Sequence, residues 1–368
     1  TANATEPESS EQSQTTVQTT KGVAATDETG ASYASFAEAV EKAKDGSTVT
    51  LEANNAENVT IDKKITVTAA SANIVYTGTM RINASDVTVT ALSFKLDPAT
   101  STNGQSVIVS AAAQGVRITK NNFTIAAGDP ETGASKNKDW QPSSVWLEQG
   151  ADNTVISDNT FQLGQVKNNS AVGVNLVGSA NSIDDTVIKN NTVTTGPTTG
   201  DGSDGTMMFV VANGNLDPNT SQYGVKNLTV EGNTVDGMAK PDKSFGVNIG
   251  DVNGMTVNGN TFIKNYMGLG YSAWQGSQVN STGLTVRSNT FSDNTASVYL
   301  GSKVTAGDIT YGEDEQANVY QQTTGYTAKS PIAPVGLAFV GWYSDKNLTV
   351  LAKEGDQTTY AKYIPVGH

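Results

Sequence analysis

Val116-Arg-Ile-Thr-Lys-Asn121-Asn-Phe123 is the phrase that decides the fold, because the chain writes it again from Thr154 to Phe161, Thr186 to Val193, Leu228 to Val235, Met255 to Phe262 and Leu284 to Phe291. Each copy alternates apolar and polar residues at the period of a strand, then gives Asn, one spacer and an apolar residue. Self-similarity at a near-constant period is the mark of stacked structural repeats, each of which buries its apolar face only against its neighbours.

Aligned on the last inward aliphatic, the copies give one column of Val89, Ile118, Ile156, Ile188, Val230, Val257 and Val286. Three residues on stand Leu92, Asn121, Asn159, Asn191, Asn233, Asn260 and Asn289, and two further on stand Phe94, Phe123, Phe161, Val193, Val235, Phe262 and Phe291. The intervals along the Asn column are 29, 38, 32, 42, 27 and 29 residues, so the excess length of the longer copies must leave the repeat as loops. Asn at a recurring turn tolerates left-handed backbone and bonds nearby amides, and stacked Asn side chains bond one another. The column therefore reads as scaffold.

A second strand recurs in each copy: Val107-Ile-Val109, Val145-Trp-Leu147, Val174-Asn-Leu176, Met207-Met-Phe209, Val247-Asn-Ile249, Leu269-Gly-Tyr271 and Val298-Tyr-Leu300. Alternation sends the first and third residues inward and the middle one outward. With the residue after the Asn opening a third strand, each copy becomes one three-sided rung. Ahead of the rungs, Phe36, Ala39, Val40 and Ala43 form one helical stripe that stops at Gly46. That short helix is expected to cover the open end of the strand stack.

The run Phe36 to Leu51, followed by rungs of the Val-x-x-Asn-x-Phe kind, resembles the right-handed parallel β-helix family that includes pectate-lyase-like proteins, over about residues 32 to 312. The resemblance implies an all-β, single-stranded, right-handed parallel β-helix with an N-terminal capping helix. It is specific for fold and not for activity, since the family hosts lyases, hydrolases, epimerases, tailspikes and adhesins. The tail resembles a second family: Phe339-Val-Gly-Trp342-Tyr343-Ser-Asp345 and the closing Tyr360-Ala-Lys-Tyr363 are similar to the Listeria–Bacteroides repeat, a small β-grasp-like surface module. The usual Asn-Gly-Gly of its first hairpin is not evident. The expected organisation is a polar disordered segment at 1–20, the capped β-helix at 21–312 and the module at 313–368.

Composition narrows the function. The 368 residues carry a formal charge of −13, with Arg at positions 81, 117 and 287 alone, so the clustered cations that nucleic-acid binding needs are missing. The same charge disfavours polyanionic glycans. There is no Cys, which excludes disulfides and thiolate metal sites, and the single His is His368 at the last position, which removes histidine-based catalysis. No stretch of about 18 apolar residues is present to span a membrane. The polar low-complexity start and the surface module point to a secreted or cell-wall-attached bacterial protein.

The outward column of the second strands is the candidate site: Trp146, Asn175, Met208, Asn248, Gly270 and Tyr299. Aromatic faces stack on sugar rings and amides bond hydroxyls, so a glycan or a host or microbial surface is the expected partner. Trp140, Tyr271 and Trp274 lie in long insertions flanking this sheet and join the expected glycan-binding set. Two functions follow: an adhesin or glycan-binding protein, and a glycoside hydrolase or polysaccharide lyase in which Glu148 acts with Asp204, Asp242 or Asp251. A glycosidase needs its two carboxylates about 5 to 10 Å apart. Asp201 and Asp204 in Asp201-Gly-Ser-Asp204-Gly205 resemble part of a calcium loop, yet two carboxylates make a poor calcium site and a flexible acidic turn is the simpler reading; no cofactor is expected.

Overall fold

The computed structural model describes residues 22–128, 142–164, 166, 169–174, 181–195, 207–213, 223–237, 244–271, 281–301 and 304–366. Three long sheets, of 13, 9 and 11 strands among the described residues, run side by side along the chain. Successive rungs pair in parallel, and the architecture is a parallel β-helix.

The inward aliphatic column is in register as the sequence pattern requires, from Val89↔Ile118 through Ile156, Ile188, Val230 and Val257 to Val286. So is the column that follows the Asn, from Phe94↔Phe123 through Phe161, Val193, Val235 and Phe262 to Phe291. These side chains are buried to within a few per cent and form one continuous core. Phe94, Phe123 and Phe161 stack nearly face to face at 4.6 and 4.9 Å, and Phe262, Phe291 and Tyr320 do so at 5.4 and 5.2 Å.

Between those two stacks the third sheet carries only Val193 and Val235, and the missing volume is supplied from the second sheet. Phe209, in strand Met207–Asn213, is fully buried with its ring 6.3 Å from Phe161. One and two rungs further on, the equivalent positions are Gly246 and Gly268, where a Cβ would sit 2.5 Å from Phe262 and 2.8 Å from Phe291. Ring and glycine thus exchange places between the two sheets, which keeps the interior at a constant density.

The Asn column is a hydrogen-bonded ladder. Asn159 Oδ1 accepts from the Asn121 backbone N–H at 2.9 Å and from Asn121 Nδ2 at 3.1 Å, while Asn159 Nδ2 donates to Ile118 O at 3.0 Å. The same three bonds recur at Asn191, Asn233, Asn260 and Asn289. The ladder Asn residues do not themselves adopt left-handed backbone. The residue before each does: Lys120, Asp158, Asn190, Gly232, Gly259 and Ser288 have φ of 57°, 58°, 55°, 67°, 68° and 56°. The Asn is selected for its buried amide, and the preceding residue takes the conformational cost, about 1–2 kcal/mol where it is not glycine.

The coil continues one rung past residue 312. Asn318 Oδ1 accepts from Asn289 N–H and Nδ2, and strand Val319–Gln322 pairs in parallel with Thr290–Ser292. Strand Thr359–Pro365 then pairs antiparallel with this last rung and with Leu337–Tyr343, so the C-terminal hairpin extends the third sheet. At the other end, helix α1 (Phe36–Lys42) is capped by Ser35, and Glu57 accepts from the Phe36 and Ala37 N–H groups at 2.8 and 3.1 Å. Burial would raise the Glu57 pKa, but the bonds from Asn55, Phe36 and Ala37 outweigh it and hold the carboxyl below its ordinary value. Phe36 meets Tyr76 edge-on at 5.8 Å, and Tyr76 leads into Phe94.

Candidate functional site

Two strands of the second sheet sit in a different register from the sequence expectation. Val145 pairs with Val172, not Val174, and Val172 pairs with Val210. The outward column is therefore Ile108, Trp146, Gly173, Val211, Asn248, Gly270 and Tyr299. Gly173 and Val211 replace Asn175 and Met208. The physical reason is that Asn169–Val174 is buried at every position, so no alternation of polar residues marks its register.

This outer face is apolar and largely covered. Trp146, Val211, Phe245, Met267 and Ala296 are at least nine-tenths buried and form a second cluster, joined by Ile108 and Tyr266, outside the main core. A Cβ at Gly173 would lie 2.8 Å from Trp146 Cε3, so the indole rests directly on the strand. Gly270 gives the same close seat to Phe245 and Met267. Trp146 is thus 7% exposed and is a packing residue, not the open stacking platform expected of it. Asn248 is buried as well, at 2% exposure.

Glu148 holds Arg81 in a bidentate ion pair, Oε1 to Nη2 at 2.7 Å and Oε2 to Nη1 at 3.2 Å. Arg81 lies two rungs toward the N-terminus, so the Glu148 carboxylate is drawn that way. Asp251 follows the strand Ser244–Gly250, three strand steps the other way, which is about 14 Å at the usual inter-strand spacing. That exceeds the span of a glycosidase pair. Asp251 is also buried, at a left-handed turn between two strands. Asp204, Asp242, Trp140, Asn175 and Trp274 lie outside the described residues, as do Asp201 and the rest of the acidic turn. Among the described residues no three acidic or histidine side chains converge as metal ligands.

Asp152 is a carboxyl whose pKa is raised, by burial first and then by the charges of Asp184 and Asp185. It accepts the Asp184 N–H at 2.8 Å and links two turns of the coil.

Of the remaining candidates, Tyr271 and Tyr299 are neighbours along the backbone. They lie on adjacent rungs, with Tyr271 N–H donating to Tyr299 O at 3.1 Å. Tyr299 is 46% exposed, and Tyr271 lies over Gly301, whose Cβ position is 3.9 Å from the ring. Leu300 between them is buried in the core and fixes the strand. Tyr299 thus stands in the outward column, paired with Gly270 on the terminal strand of the sheet, five strand steps and about 24 Å from Trp146, while Tyr271 stands level with Leu300.

The sequence matches no protein-family model and no curated protein. Among solved structures the chain is similar to a mutant of the PL6 family alginate lyase AlyGC, at 15% identity and a TM-score of 0.41, over 71% of this chain and 37% of that one. It is similar to the Dettilon tailspike protein at 12% identity and a TM-score of 0.39, over 90% and 85%, and to an alginate lyase from Paenibacillus sp. str. FPU-7 at 13% and 0.38, over 77% and 94%. The chain spans little more than a third of the first of these. No site residue transfers across likenesses so distant. The sheets, ladder and core define the chain as a parallel β-helix protein.

Proposed function

We propose that this protein is a secreted or wall-attached bacterial surface protein that binds glycan, acting as an adhesin, through the exposed Tyr299, with Tyr271 on the neighbouring rung. The observation that carries the reading is the exposed Tyr299 ring at the end of an outward column that is largely covered. A large exposed aromatic on a rigid scaffold gives a sugar ring a flat, weakly hydrated surface, and the phenol hydroxyls add directional bonds. The engagement of Glu148 by Arg81 and the burial of Asp251 support binding over hydrolysis.

In the same reading, helix α1 caps the coil and the C-terminal hairpin belongs to a Listeria–Bacteroides-like module. Supporting the latter, Trp342 is buried with Nε1 donating to Lys329 O at 2.9 Å, as a core tryptophan of a small domain would be. Among the described residues no helix is long and apolar enough to cross a membrane. A glycan array with the full chain, followed by assay of reducing-sugar release on each hit, tests the proposal. Retention without release is expected, and turnover of any hit would replace the adhesin with an enzyme.

A further inference from the structure

Where the last rung meets the C-terminal hairpin, the chain lines an open-sided cavity of about 480 Å³, within the size range of small-molecule sites. Three of its lining residues are tyrosines, Tyr311, Tyr320 and Tyr363; Ile309 and Leu337 are among the rest, and the exposed Glu313 lies on its border. Tyr320 and Tyr363 meet at 4.9 Å with their planes 82° apart, Tyr320 having one face stacked on Phe291 and Tyr363 also meeting Phe339 at 6.0 Å. Tyr311 is fixed by its hydroxyl, which donates to Val335 O at 2.7 Å. Burial pushes all three phenols above their ordinary pKa, so they stay neutral.

Ring faces carry negative quadrupole charge and attract a cation that sheds its water cheaply, which alkylated ammonium groups do. A neutral ligand would gain nothing from Glu313. Asp314 and Glu315 follow it in the sequence and are exposed, so the approach is acidic and repels phosphate. We propose that this cavity binds a small quaternary ammonium cation of the choline type, its methyl groups against the tyrosine rings and its charge toward Glu313. The site is separate from the Tyr271 and Tyr299 pair and does not depend on it.

Isothermal titration of the full chain with choline chloride tests this, alongside 3,3-dimethylbutan-1-ol, phosphocholine and glucose. The alcohol has the shape of choline without its charge. Saturable choline binding is expected, with the alcohol and phosphocholine roughly tenfold weaker or worse, the loss that cation–π and carboxylate contacts would produce. Glu313→Gln, an exposed substitution that leaves the unfolding curve unchanged, should weaken choline several-fold. Tyr363→Ala should abolish binding, and Tyr299→Ala should leave it untouched. Equal binding of choline and the alcohol, preference for phosphocholine or glucose, indifference to Glu313→Gln, or no saturable choline binding up to about 10 mM would each overturn the proposal.

Discussion

The turn that closes each rung and the outer face of the second sheet belong to the same coil, yet they are built on opposite terms. At the turn one side chain repeats, and every Asn amide from Asn121 to Asn289 is buried and makes the same bonds. On the outer face no two successive rungs carry the same residue, and Ile108, Trp146, Gly173, Val211 and Asn248 give way to Gly270 and the exposed Tyr299. Sameness marks what the scaffold needs at every step, because a ladder is only as good as its worst rung. Variation marks where the rungs are free to do something else, and there the difference between packing and binding rests on exposure.

The largest effect is expected in the interior that both regions share. Phe209→Ala removes a fully buried ring packed against the end of the first aromatic stack, and should cost about 3–5 kcal/mol in urea unfolding. A loss under about 1 kcal/mol would mean that Val193 and Val235 close the gap unaided. Asn191→Ala comes next, at about 3 kcal/mol, since it strands the Asn159 N–H and amide and the Ile156 carbonyl in the core. Trp146→Ala sharpens the contrast: as a packing residue it should lose about 3 kcal/mol of stability and leave glycan retention unchanged. Smallest is Arg81→Ala, because a half-exposed ion pair contributes at most about 1 kcal/mol, and no activity should depend on it.

These expectations bear on how much of the molecule its sequence declares. The Val-x-x-Asn-x-Phe phrase declares the first and third sheets residue for residue, because both alternate inward aliphatics with outward polar side chains. The second sheet is legible only where that contrast survives, as in Val145-Trp-Leu147 and Val247-Asn-Ile249. Met207–Asn213 reads Met-Met-Phe-Val-Val-Ala-Asn, a nearly continuous apolar run with no alternation to mark its register, and Phe209 packs in the core against Phe161. Asn318 escapes the repeat because Tyr311 takes the aliphatic column's place and Gly312 to Ala317 intervene before the Asn, where other rungs have two residues. For the site, aromatic composition finds Tyr299 and Trp146 alike. Only the neighbours tell them apart: the Trp146 indole lies on Gly173, whereas Gly270 beside Tyr299 is already covered by Phe245 and Met267.

The most direct measurement is retention of the full chain on an array of neutral and acidic glycans, wild type against Tyr299→Ala. The substitution removes an exposed ring and should leave the unfolding curve unchanged, while weakening retention about tenfold on every hit, as loss of one stacking contact implies. Retention that survives Tyr299→Ala unchanged, or hits that are cleaved as well as bound, would contradict the account.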